Sequence, residues 1–452
     1  MTTVSREPTA PIPAPTAPAG MPATVAASAG KRVRDPRLDF FRGIAMFIIF
    51  IAHVPNDWFA LWIPARFGFS DATETFVFCS GMASAIAFGA VFDKHGLLMG
   101  AARIAHRVWQ VYWAHITLFF AVLTLMLAIN ASGVTDKNYA LALNLGHFLN
   151  RTDVTVPGLM TLTYVPNYFD ILPMYLVILG MIPIVMALSR VSLWLVAAFM
   201  AAMWGWANAG LVGLPGVDLP AEPWSSREWF FNPFGWQLVF FTGFAFMRGW
   251  LPAPPVNRWL VIAAAAFVIL CVPYAWSPYN SVIPWLQEMA RDNRDVANAL
   301  RPLTTKTDFG ILRYVHFLAT AYLAWVAVGP LGSRLADWGP FTVVVDIIRK
   351  VGQQSLAVFV TSLFLAQFTG FVMDQTGRTW TIMVIANALG FAALIATAYT
   401  VGWFKSEPWR RKPVEGGIAR SDMPGTVVPA VSSASQATRN QGAVAPSAVP
   451  AE

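Results

Sequence analysis

The sequence predicts an all-α polytopic membrane protein of about ten transmembrane helices, with both termini on the inner side. Of its 452 residues, 56% are hydrophobic and 12% charged, against roughly 25% charged in an ordinary soluble domain, which excludes a soluble globular enzyme. Ten mostly apolar stretches approach the roughly 20 residues that a helix needs to cross the hydrocarbon core of a bilayer. Lys and Arg are unevenly shared between the connections: with both termini inside, 21 fall on inner segments and 10 on outer ones, although the outer connections are longer. That asymmetry is the positive-inside pattern.

Taken in order, residues 1–33 read as a disordered cytoplasmic tail, because the first thirty hold 6 Pro, 8 Ala and 5 Thr and no apolar run. The membrane domain is 34–405. Its predicted spans are 40–60, 73–92, 108–129, 171–188, 192–214, 230–250, 259–276, 311–331, 355–373 and 380–404. The fourth and fifth are joined by a short turn at Arg190, and the sixth and seventh by the Pro-rich 251–257, so both pairs are hairpins. The sixth is the weakest, since Asn232, Pro233 and Gln237 stand in its first half. Three outer connections are long, 130–170, 212–229 and 277–310, which directs a shaped polar surface to the outside. Residues 406–452 return to Ala, Ser, Pro and Gly and read as a second disordered tail. No fixed-period repeat and no matched pair of broken helices marks the chain as an inverted-repeat transporter.

Ionisable residues inside a span cost roughly 2.5 to 3.5 kcal/mol on insertion scales, so each needs a partner, a cavity or a task. The first span holds three, in RLDFFRGIAMFIIFIAH. At 100° per residue Asp39, Arg42, Met46, Phe50 and His53 share one stripe, with Arg42 at the inner boundary and His53 about 16 Å further along. Arg42 reads either as a positive-inside anchor or as an anion ligand. His53 reads either as a satisfied interior histidine or as a general base, the task an imidazole suits near neutral pH. Asp57 and Glu74 are possible orienting carboxylates for it, or solvated loop acids. Arg103 and Arg107, four apart on one helical face, could join Arg42 and Lys94 in an inner cationic cluster suited to phosphate, or be ordinary flanking charge. Trp109, Tyr112 and Trp113 read as an interfacial belt, and His115 and His316 as core.

In FVFCSGMASA, Ser80, Gly81 and Ala83 are small enough for another helix to approach closely. No G-x-S-x-G elbow surrounds Ser80, and no P-loop, dinucleotide fingerprint or HExxH motif occurs. Cys79 and Cys271 fall in apolar stretches, so neither a disulfide nor a metal site is expected. With no dense basic run, nucleic acid is not an expected partner.

The Leu38, Asp39, Arg42, Gly43 and His53 pattern, followed by FVFCSG and the Arg-rich start of the third span, resembles the membrane acyltransferase-3 superfamily. Within it, YVPNYFDILPMY, WFFNPFGWQL, LRYVHFLA and VGQQSLAVF resemble the OpgC branch, associated with succinylation of osmoregulated periplasmic glucans. One departure is the Arg103-x-x-x-Arg107 spacing, where the superfamily often has Arg-x-x-Arg. The resemblance implies a multi-pass bacterial inner-membrane O-acyltransferase. It would move a succinyl group from cytoplasmic acyl-CoA, as co-substrate rather than bound cofactor, to a hydroxyl of a periplasmic glucan. Acetyl transfer from acetyl-CoA to another envelope polysaccharide is the alternative, and a polysaccharide or lipid-linked sugar transporter is the rival of a different class. On this reading His53, Arg42 and Asp39 are catalytic, and Arg42, Arg103 and Arg107 hold the donor phosphates. Tyr164, Asn167, Asp170, Asn232 and Gln237 contact the acceptor, with Asn167, Tyr168 or Gln237 as oxyanion donor. The expected partners are the lipid bilayer, acyl-CoA and the periplasmic glucan or other envelope polysaccharide.

Overall fold

The computed structural model describes residues 35–275, 283–336 and 339–410. The chain divides into a unit reaching Ser406 and a second beginning at Glu407. Of the second, 407–410 are described, a turn closed by the Arg410 to Glu407 ion pair at 2.7 Å. The tail predicted at 1–33 lies outside the described residues, as does all of the 406–452 tail beyond 410.

Helix is the main secondary structure of the described residues, and the single β feature among them is an isolated bridge between Pro220 and Glu228. In order, the helices are α1 Pro36–His53, α2 Ala72–Ala131, α3 Tyr139–Ala142, α4 Gly146–Asn150, α5 Thr152–Thr161, α6 Ile171–Ser189, α7 Leu193–Ala207 and α8 Pro233–Arg248. They continue with α9 Arg258–Ala275, α10 Pro284–Asp292, α11 Arg294–Thr304, α12 Ile311–Val328, α13 Ser333–Ala336, α14 Thr342–Gln353, α15 Ser355–Thr376 and α16 Trp380–Lys405. Six of these, α2, α6, α9, α12, α15 and α16, are long and apolar enough to cross a bilayer. The apolar face of α9 is open, with Ile262, Ile269 and Leu270 exposed, as expected of a helix bathed in lipid rather than water.

Three differences from the sequence expectation have plain causes. The second and third predicted spans lie in one helix, α2, interrupted at Gly96 with φ +80°, a left-handed conformation that glycine takes without the Cβ penalty. The sixth begins at Pro233 instead of 230, because Asn232 accepts from the Phe234 amide as N-cap and Pro233 occupies the first helical position, where its missing N–H costs nothing. The helix α14 carries too many charges to read as a span, yet it packs against α1 and α16.

Small residues set the closest crossings. A Cβ on Gly81 would stand 1.9 Å from the Phe240 carbonyl oxygen and one on Gly243 2.3 Å from that of Phe78, so α2 and α8 meet backbone to backbone. Gly43 and Gly352 do the same for α1 and α14, at 2.0 Å from Ile348 O and 1.9 Å from Asp39 O. Such approach maximises dispersion where lipid removes most of the hydrophobic drive for helix association. Packed against α14, α2, α15 and α16, α1 is held on several sides.

Candidate active site

The two ends of α1 open into two different cavities. The first, about 740 Å³, is lined by Arg42 together with Arg103 and Arg107 of α2, Gln353 and Gln354, Ser355 of α15, and Thr397 and Lys405 of α16. Arg42 donates from Nη2 to the Ser355 hydroxyl, and Lys405 Nζ donates to Gln354 Oε1 at 2.7 Å. The structure thus brings together the three arginines named from sequence and adds a lysine and two amides to them. Asp39, one turn before Arg42, is buried beneath the α14 crossing.

The second cavity, about 430 Å³, lies at the other end of α1. Its polar lining is His53, Asp71, Thr73, Asn167, Tyr168, Asp170 and Lys306. The Nδ1 of His53 lies 2.7 Å from the Ile49 carbonyl one turn back. A carbonyl only accepts, so Nδ1 carries the proton and Nε2 keeps its lone pair. Tyr168 meets the His53 ring edge to face, with centroids 5.3 Å apart. It adopts φ +88°, a costly backbone for a non-glycine residue, and is tied by a hydroxyl bond to the Leu363 carbonyl at 2.5 Å. Asn167 accepts from Arg227 at 2.8 Å through Oδ1, which leaves its amide nitrogen as the donor. Asp170 is buried with one carboxyl oxygen lacking a hydrogen bond. Burial pushes its pKa up to about 6, against the pull of Arg227.

A charged cluster closes one wall. Asp71 caps α2 by accepting from the Thr73 amide at 2.6 Å, while Glu74 accepts from the Asp71 amide at 2.7 Å, a capping box. Lys306 Nζ lies 2.5 Å from Asp71 Oδ2 and Arg313 Nη1 lies 2.8 Å from Glu74 Oε1. Burial works to raise the Asp71 carboxyl, but Lys306 and Arg313 outweigh it and hold it below the ordinary carboxylate range.

The other residues named from sequence stand elsewhere. Tyr164 is buried among Phe148 and Trp224, Asn232 caps α8, and Gln237 donates to the Met200 carbonyl at 2.8 Å; none of the three lines the His53 cavity. Asp57 and Glu74 are buried rather than solvated. Asp57 caps the short turn at Trp58–Leu61 and Glu74 is committed to α2 and Arg313, so the described hydrogen-bond partner of His53 is the Ile49 carbonyl. His316 is core: its Nδ1 accepts from Ser70, 2.7 Å from the hydroxyl. Trp109 and Trp113 are exposed, as a belt requires.

Sequence reasoning missed Asp71, Thr73 and Lys306. The D-A-T-E string before an apolar run is a legible capping box, but Lys306 is one of four basic residues in the 277–310 connection and nothing local distinguishes it. The two cavities share no lining residue. Along α1 the wholly buried Met46 and Phe50 lie between Arg42 and His53, and Phe76 of α2 stacks on Phe359 of α15 with centroids 5.7 Å apart.

A family model described as OpgC protein matches residues 34–406. No curated protein and no solved structure matches the chain.

Proposed function

The chain belongs to the OpgC family, and from that premise we propose that it is an inner-membrane O-acyltransferase carrying a succinyl group from cytoplasmic acyl-CoA to a hydroxyl of a periplasmic glucan. Ten membrane crossings with both termini inside complete this reading. The observation that carries it is that one helix, α1, delivers Arg42 to a cationic cavity and His53 to a second, polar one.

The first cavity suits the phosphates of the donor: Arg42, Arg103 and Arg107 are forked cations that match phosphate oxygens. The pantetheine arm would run along α1 toward His53, displacing side chains such as Met46 and Phe76 on the way. At the far end His53 Nε2 takes the proton of the acceptor hydroxyl as that oxygen attacks the thioester carbonyl. The tetrahedral intermediate collapses with cleavage of the carbon–sulfur bond, and the imidazolium returns the proton to the departing thiolate. A positioned base of this kind contributes about 10² to 10⁴-fold. Of the three oxyanion donors considered from sequence, the Tyr168 hydroxyl and the Gln237 amide already have carbonyl acceptors, which leaves the Asn167 amide. Asp170 and Asn167 at the rim suit a polyhydroxyl acceptor.

The test is mass spectrometry of periplasmic glucans from a deletion strain complemented with the intact chain or its His53→Ala variant at matched membrane levels. An ester-linked increment of succinyl mass with the intact chain and its loss in the variant is the expected result. Restoration by both removes His53 from the mechanism; restoration by neither favours another polysaccharide acceptor or transport.

A further inference from the structure

Lys306 is the one cationic side chain lining the His53 cavity among the described residues, and it stands on a stretch of chain that neighbouring helices clamp. The Trp236 indole donates to the Lys306 carbonyl at 2.8 Å, and the Asn232 backbone N–H to the Thr307 carbonyl at 3.0 Å. Asn208, the C-cap of α7, donates to the Asp308 carbonyl at 2.8 Å, and Trp204 to that of Phe309 at 2.8 Å. A Cβ on Gly235 would stand 2.2 Å from the Asp308 carbonyl oxygen, so α8 presses directly on this stretch. The WFFNPFGWQL segment therefore supports the backbone that carries Lys306, and the Asn232 side chain adds a bond to Asp308 Oδ1 at 3.1 Å.

A lysine held this firmly beside a reacting centre does more than neutralise one aspartate. Its ammonium has three N–H donors. One goes to Asp71 Oδ2 at 2.5 Å, while the group sits 5.6 Å from the Phe231 ring centroid; the side chain is 27% exposed and lines the cavity, so donor capacity remains toward it. His53, Lys306 and Asp71 line the same cavity. The remaining acidic lining residue, Asp170, has its pKa raised to about 6 by burial, which reduces its negative charge near neutral pH compared with an ordinary carboxylate. An anion entering this cavity finds a preorganised cation, and a neutral chain of the same length leaves that ammonium with only Asp71.

We infer that Lys306 is a specificity-determining residue that binds the far carboxylate of a dicarboxylic acyl group while His53 serves the thioester end, so that the cavity selects succinyl over neutral acyl groups of equal length. This rests on the acyl-transfer reading above. The clamped backbone fixes the lysine's position; Asp71 is its resident counter-ion and competes with the incoming carboxylate.

The experiment uses the full chain in proteoliposomes with glucan acceptor, and compares succinyl-CoA with butyryl-CoA, which has the same four carbons and no carboxylate. The intact chain is expected to favour succinyl-CoA, and Lys306→Met to lower the succinyl-to-butyryl ratio of kcat/KM by about 10 to 100-fold, the scale of one lost charged hydrogen bond. Lys306→Arg should retain most of the preference. Asp71→Asn, which keeps the cation and removes its competing carboxylate, should hold or raise the ratio, and it decides the matter if Lys306→Met does not fold. An unchanged ratio in Lys306→Met, equal loss of both donors, or a fall in Asp71→Asn overturns the inference. Transfer by the intact chain without succinyl preference overturns it while leaving acyl transfer intact; no transfer from either donor overturns both.

Discussion

Replacing Gly352 by Ala should loosen the molecule at the crossing on which both cavities depend. The added Cβ would lie 1.9 Å from the Asp39 carbonyl oxygen and 2.9 Å from the Gly43 amide nitrogen, where ordinary contact begins at 3.4 Å. The Asp39 oxygen would thus have to retreat by about 1.5 Å, and because it is backbone inside α1, the helix must move rather than a rotamer. Overpacking of this kind costs about 1 to 3 kcal/mol, offset by the roughly 0.5 to 1 kcal/mol that Ala gains over Gly in a helix interior. The control is Gly205→Ala in α7, where a Cβ meets nothing within 4 Å, so only the helix gain operates. Thermal unfolding in detergent should place Gly352→Ala below the parent and Gly205→Ala at or above it. Glucan acylation should fall in the first variant beyond what its stability explains, since Arg42 and His53 ride on α1 and a displacement of about 1 Å at a reacting centre can cost 10²-fold. Equal stability of the two variants, or full activity in Gly352→Ala, would refute this account of the α1 and α14 contact.

Two further outcomes follow from the charges. Arg313→Met strands the wholly buried Glu74 carboxylate and should cost about 3 to 5 kcal/mol, whereas the double variant Arg313→Met with Glu74→Gln should recover most of it, because Gln still completes the capping box; calorimetric unfolding that shows no recovery would sink the ion-pair explanation. Asp170 has its pKa raised from 3.8 to about 6, so the native state holds the proton more tightly than the unfolded chain, and stability falls as pH rises from about 4 to 6. Asn does not titrate, so the stability of Asp170→Asn relative to the parent should climb across that window and level off above it at no more than about 3 kcal/mol. A difference independent of pH between 4 and 8 would place the Asp170 carboxyl in a more hydrated setting.

What the amino-acid sequence determined by itself is what a bilayer enforces locally. A segment in lipid must satisfy its own backbone, so an apolar run tends to become a helix; each of the ten predicted runs contains helix, although their ends at 54–57, 213–214 and 230–232 are not helical and six helices are long and apolar enough to cross a bilayer. The Arg42 and His53 register follows from helical pitch alone, and Arg103 and Arg107 share a face for the same reason, which is why their convergence on one cavity could be anticipated. Tertiary structure alone decided the rest, because lateral packing depends on partners far apart in the chain. Hydropathy says nothing of Gly43 meeting α14 or of Gly81 meeting α8, nor that α1 opens into two separate cavities instead of one. Tyr164, Asn232 and Gln237 have side chains suited to a sugar, yet aromatic neighbours, an N-cap and a carbonyl claim them first. Lys306 is the converse: indistinguishable from its neighbours in sequence, it enters the site because Asp71, 235 residues earlier, and the clamped 304–309 stretch bring its ammonium to the cavity wall. A polar group's role is set by which partner reaches it first, and that competition is settled only when the helices pack.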